Sequence, residues 1–208
     1  VAVVELIEEG NLTPTADQIA TRAGVARRSV YHHFDDLDDV TRAVSERYLA
    51  TYIASWKPRP TEGDLDQRHT TFVAQRSAFA ERIMPIYRAS RLVAVQSPAM
   101  AEQLAVTDEF LRSELGQSFG PELAAAPAWT IEALDAMTSL DCWVHLRVNQ
   151  SLSVRRARRV VDESVAAIQA HSQDVKSAQK FLGEPPAPGH AAIGLVIGYD
   201  HRANETAN

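Results

Sequence analysis

Apolar positions along this chain recur mostly at helical spacing, and strand-like alternation is nearly absent. Val3, Val4, Leu6 and Ile7 make a short stripe that stops at Gly10, which predicts a first helix closed by glycine. Thr15 precedes Ala16-Asp17-Gln18-Ile19-Ala20, and Thr with Gln three positions later is a capping-box pattern. A second helix should therefore start there and end at Gly24. A short third helix is expected over residues 27–34 and a long fourth over 37–55, with Val40, Ala43, Val44, Tyr48 and Leu49 at helical spacing. Lys57-Pro58-Arg59-Pro60-Thr61-Glu62-Gly63 interrupts the pattern and sets the expected boundary between a head, 1–56, and a body, 57–182. The body divides into five further helices near 64–84, 85–95, 98–118, 127–148 and 153–172, punctuated by Pro85, Pro98, Gly120-Pro121 and Pro127. Residues 183–208 begin Gly-Glu-Pro-Pro-Ala-Pro-Gly and are expected to be a linker and tail. The pattern predicts an all-α chain of about nine helices.

Residues 15–34 are where the pattern carries chemistry. Two short helices joined by a tight Ala23-Gly24-Val25 turn satisfy what a helix-turn-helix requires, with Gly24 free to adopt positive φ. Ile19, Ala20, Val25 and Val30 can share a small core that sets the angle of the second helix. That helix offers Arg27, Arg28 and Ser29 at its start, where base edges are met, and Tyr31, His32 and His33 for flanking phosphates. Thr15 joins the expected contacts at the start of the first helix. Arginine suits guanine because its planar fork grips O6 and N7 together.

Charge sharpens this picture. The chain has 208 residues and a net charge of −6, which excludes a polybasic coat for nucleic acid. The stretch 1–56 holds five Arg and nine Asp or Glu, a balance of −4, yet 22–34 contains Arg22, Arg27, Arg28, His32 and His33 and no acid. A cationic island in an acidic head suits the docking of one element rather than nonspecific coating.

The stretch resembles the DNA-binding signature of the tetracycline-repressor (TetR) family. Ile19-Ala20, Ala23-Gly24-Val25 and Tyr31-His32-His33-Phe34 match its order and spacing. The resemblance implies an N-terminal three-helix DNA-binding head, a helical effector-binding and dimerising body, and repression relieved by a small molecule. Its implied partners are double-stranded DNA with a near-palindromic operator, a second copy of the chain, and an effector of unknown identity. Three departures stand out. Ala26 cannot cap the recognition helix, where the family usually has Ser or Thr. Asp35-Asp36-Leu37-Asp38-Asp39 stands where the family often has a lysine, and would repel phosphate. The family's basic N-terminal arm is not in the sequence, which begins Val-Ala-Val, so a preceding piece is expected.

In the body, Phe72, Tyr87, Arg91, Met137 and Trp143 are candidate ligand contacts. Leu134, Val154, Val161, Val165 and Ile168, on the last two expected helices, are candidate dimer contacts that would close a four-helix bundle with a two-fold mate. Arg155-Arg156-Ala157-Arg158-Arg159 is expected to be a solvated helix face. His69 and His145 are expected to be structural, and Cys142 buried. One cysteine excludes a disulfide framework and a Cys-rich zinc site, and adjacent His32 and His33 point to different sides of a helix, so no metal or cofactor is expected. No Gly-rich phosphate loop, Gly-x-Ser-x-Gly elbow or His-Glu-x-x-His motif occurs, so no enzyme is expected. No apolar run reaches the roughly 18 residues that span a bilayer, so a cytoplasmic location without a membrane partner is expected. Two other readings stay open. One is a DNA-associated structural or adaptor protein that senses nothing. The other is a helical binding protein whose head no longer binds DNA, suggested by the acid run.

Overall fold

The computed structural model describes residues 2–33, 37–54 and 63–182. The described residues form helices α1 (Ala2–Glu8), α2 (Ala16–Ala23), α3 (Arg27–His33), α4 (Leu37–Ala54), α5 (Leu65–Ala94), α6 (Pro98–Leu123), α7 (Trp129–Thr138), α8 (Leu140–Val144) and α9 (Val154–Leu182), with a π-helical turn, His145–Asn149, closing α8. The fold is all-α. Among the described residues, no helix is long and apolar enough to cross a membrane. The 57–62 interruption and the 183–208 tail lie outside the described residues.

The division of the body differs from the expected one in four places. Residues 64–84 and 85–95 are a single helix, with Pro85 inside it. Ile83, Ile86, Tyr87 and Ala89 are all buried, so packing on both sides holds the helix together across the missing N–H. Helix α6 continues past residue 118 and breaks at Phe119 (φ −126°, ψ 19°), two positions before Pro121, which disrupts the ladder there. Residues 127–148 are cut at Ser139, whose extended backbone ends α7 and whose hydroxyl accepts the Cys142 N–H at 3.1 Å to start α8. Helix α9 runs to Leu182, well past the expected end at residue 172.

Two cores result. The head core joins Val3, Leu6 and Ile7 of α1 to Ile19, Ala20, Val30 and Val40, and is completed by Ile86 and Ala89 of α5. The body core packs Phe72, Phe79 and Tyr87 of α5 against Leu111, Leu115 and Phe119 of α6, Leu134 and Trp143 of α7 and α8, and Val161 and Val165 of α9. Helix α5 thus belongs to both. A buried Ser45–Ser90 hydroxyl pair at 2.7 Å fastens α4 to the same part of α5. The seam expected at residue 57 lies outside the described residues, and beyond it α5 packs into the head core as well as the body core.

Two carboxylates tie the body's helices. Glu81 accepts from the Trp143 indole at 2.9 Å and from Arg147 Nε and Nη2, each at 2.8 Å. Arg68, on the first turn of α5, donates to the Ser118 carbonyl at 2.7 Å and to Glu122 at 2.9 Å, clamping the kinked end of α6. The Arg147 guanidinium holds the Glu81 carboxyl below its ordinary value of 4.5, and Arg68 does the same for Glu122. A carboxyl depressed in the folded state stabilises the fold above its unfolded value and loses that contribution as pH falls through the folded one. The protein should therefore melt at a lower temperature in acid, with the loss beginning near pH 4.5 and continuing below it. Thermal melts of Glu81→Gln and Glu122→Gln across that range should flatten the dependence; an unchanged slope would refute the assignment.

Candidate nucleic-acid interface

The expected capping box is present. The Thr15 hydroxyl accepts the Gln18 N–H at 3.3 Å, and the Gln18 side chain accepts the Thr15 N–H at 2.8 Å. Asn11 adds a third bond to that Gln18 oxygen at 3.0 Å, pinning the approach to α2. At the other end Gly24 is left-handed (φ 68°, ψ 31°), its N–H bonds the Thr21 carbonyl, and the Val25 N–H reaches back to Ala20 at 3.0 Å. This is the paired-bond helix stop that favours glycine. A β-carbon at Gly24 would meet nothing within 4 Å, so only backbone strain opposes one. Gly24→Ala is expected to cost about 1–2 kcal/mol in a chemical melt, the ordinary penalty of a left-handed L-residue.

The core behind the turn differs from the expected one. Val25 is 47 % exposed and outside the core, so its role is the backbone bond to Ala20. Its place is taken by the three apolar residues of α1 and by Ile86 and Ala89, none of them close to the motif in sequence. Val30 is the buried anchor of α3. With Val30 inward, Arg27, Arg28, Tyr31 and His32 are exposed and Ser29 is half-buried. The His33 side chain lies outside the described residues, as do Phe34, Asp35 and Asp36.

The cationic island is smaller than composition implies. Arg22 turns back to α1 and binds Glu9 at 2.9 and 2.6 Å and Glu5 at 3.5 Å, which removes it from the outer face. Arg27 stays outside, 3.4 Å from Asp17 and 5.8 Å from the centre of the Tyr31 ring. Arg28 makes no ion pair among the described residues and is fully available. Of the acid run, Asp39 is paired with Arg42 on its own helix, which blunts its repulsion of phosphate. The result is a short helix with two exposed guanidiniums at its start and an aromatic and an imidazole one turn later.

Residues 1–44 match the model of a family described as bacterial regulatory proteins, tetR family. The head is similar to the DNA-binding segment of TetR-family regulators, and the chain is a DNA-binding transcription regulator. The matched segment holds α1, α2, α3 and the first turns of α4, so the regulator binds DNA through its head. No curated protein and no solved structure matched the chain.

The residues expected to line a ligand site in the regulator do not converge on one cavity. Tyr87 borders a cavity of about 30 Å³ between α4, α5 and α6, room for a single water. Its hydroxyl donates to Asp141 at 2.9 Å, which together with burial pushes its ionisation well above the usual range. Trp143 is spent on Glu81, and Arg91 is half-exposed, 3.6 Å from Asp141. Phe72 stacks on Phe119 with ring centres 5.1 Å apart, and Met137 is half-buried on α7. A larger cavity, about 300 Å³, lies instead between the kinked end of α6, α7 and α9, lined by Phe119, Leu123, Thr130, Leu134, Gln169 and Ser172 among others. The one sequence signal for it is where the apolar stripe of α9, Val161, Val165 and Ile168, turns polar at Gln169 and Ser172.

The expected dimer residues are similarly redistributed. Leu134, Val161 and Val165 are buried in the chain's own core, and Ile168 packs against it. Only Val154, 42 % exposed, remains on the surface. The stripe faces inward because α9 is needed to cover α5 and α7 of its own chain. Arg155, Arg156, Arg158 and Arg159 are exposed, the last paired with Glu163 at 2.7 Å. His69 bridges Asp162 and Gln169 at 2.9 and 3.0 Å, a structural position. Cys142 is half-buried, and burial pushes its thiol up.

Proposed function

We propose that the regulator is a cytoplasmic, homodimeric repressor that binds a near-palindromic operator and is released from it by a small molecule held in the body. The reading rests on one observation above the rest. Among the arginines of residues 22–34, those on α3 face outward, while Arg22 is drawn into the head by α1. Arg27, Arg28 and Ser29 would meet base edges, while Tyr31, His32 and His33 would meet phosphates, with Thr15 touching the backbone from the capped start of α2. A two-fold pair of such helices presents two half-sites about one duplex turn apart.

The dimer face we assign is the outer side of α7 and α9. There Trp129, 40 % exposed, lies over His171 at 5.5 Å, beside the exposed small residues Ala167 and Ala170 and the partly exposed Val160. Exposed aromatic and small side chains on adjacent helices favour close helix pairing. Release requires a ligand that prefers the body shape in which the heads no longer fit two adjacent grooves. Helix α5 is the connecting rod, because its first turn clamps α6 and its last turns complete the head core.

The test is selection of duplex ligands from a random pool with the full chain, followed by sedimentation with and without the selected duplex. Enrichment of inverted repeats bound by two chains supports the proposal. Enrichment of no sequence would favour a DNA-associated adaptor protein, and absence of binding at low salt would favour a degenerate head.

A further inference from the structure

The larger body cavity combines an apolar interior with polar capacity on one side only. Phe119, Leu123 and Leu134 supply the apolar wall, and Phe119 and Leu134 are almost completely buried. The polar side is α9, where Gln169, Ser172, Gln173 and Lys176 fall at helical spacing on a single face. Their unspent groups are mostly donors. Thr130 donates to Ser172 at 3.1 Å, which leaves the Ser172 proton unused. Gln169 is 9 % exposed, and one end of its side-chain amide is held by His69 while the other is buried with no hydrogen-bond partner among the described residues. Lys176 is exposed, and Glu122 beside it is already paired with Arg68. Of the two charged residues lining the cavity, Glu122 is held by Arg68, and Lys176 makes no ion pair among the described residues.

Size limits the occupant. A dry apolar cavity of about 150 Å³ accepts benzene. A volume of about 300 Å³ therefore suits a molecule of one or two rings. We propose that this cavity is the effector site and that it takes a small monocarboxylic acid with an apolar ring body. The carboxylate meets Ser172 and Lys176, and the rings lie against Phe119, Leu123 and Leu134. This assignment rests on the ligand-release reading above. It also supplies a route to the head, because Glu122 at the cavity edge is held by Arg68, and α5 runs from Arg68 to Ala89 of the head core, about 30 Å at 1.5 Å per residue.

The experiment titrates the full chain with β-naphthoate, and with β-naphthamide as a neutral twin, by calorimetry, using the unaltered protein, Lys176→Met and Ala126→Phe. Ala126 lines the cavity, and phenylalanine there should fill it. Saturable naphthoate binding, at least about tenfold tighter than naphthamide, is expected, in keeping with a charge-assisted contact. Lys176→Met should erase the preference with an unchanged melting temperature, and Ala126→Phe should abolish binding. No saturable binding to the unaltered protein, equal affinity for the amide, or naphthoate affinity unaltered by Lys176→Met would overturn the proposal. Operator anisotropy in the same samples separates the two readings. Lys176-dependent binding that leaves DNA bound upholds the cavity and refutes release, whereas release by naphthoate without Lys176 dependence refutes the cavity.

Discussion

Arg28→Ala is expected to weaken operator binding about a hundredfold while leaving the melting temperature unchanged. The size follows from about 1–3 kcal/mol for each arginine gripping a guanine, lost from both recognition helices of a dimer. The selectivity follows from geometry, since Arg28 is exposed and outside the head core, and Val30 anchors the helix. Arg27→Ala should cost less, because Arg27 already has Asp17 at 3.4 Å and must leave it to meet DNA. Arg22→Ala should do the reverse and lower stability without altering base preference, since its partners Glu9 and Glu5 belong to the head. Anisotropy at several stated salt concentrations would measure all three. Retention of full affinity and sequence preference by Arg28→Ala would remove the groove-facing helix from the account.

The second large effect is on stability. Glu122→Ala would strand Arg68, whose side chain is 8 % exposed and which also satisfies the Ser118 carbonyl at the α6 kink. Stranding one member of a fully buried pair costs about 3–5 kcal/mol. The cost here should be nearer 2 kcal/mol, as ~28 % of the Glu122 side chain stays in water. For a domain of this size that is a fall of about 4–8 °C in melting temperature. Glu122→Gln, which keeps one acceptor, should fall less. Equal melting of all three proteins would show that the clamp contributes nothing.

Legibility in the sequence followed the range of the interactions. The capped start of α2 and the glycine stop at Gly24 depend on bonds reaching three to five positions along the chain, and all were readable. The expected number of helices was also found, but by two offsetting differences. Residues 64–95 are one helix because Ile86 and Ala89 are buried in the head core across Pro85, and residues 127–148 are two because Ser139 caps α8. Neither Pro85 nor Ser139 announces which way it acts without its neighbours in space.

Long-range pairing decided the rest. That Arg22 is lost to the DNA face depends on Glu9 thirteen positions away, and that Val161 and Val165 serve the core depends on α5 and α7. The cavity exists because Pro121 breaks α6 opposite α9, and its polar side is set by contacts such as His69 with Gln169, a hundred positions apart. By itself the sequence determined an all-α chain with a helix-turn-helix whose second helix is cationic, because those features are written in side-chain spacing and local hydrogen bonds. Only the tertiary structure decided which cations stay free, which apolar stripe is already spent and where a ligand fits, because each is settled by competition among partners distant in sequence.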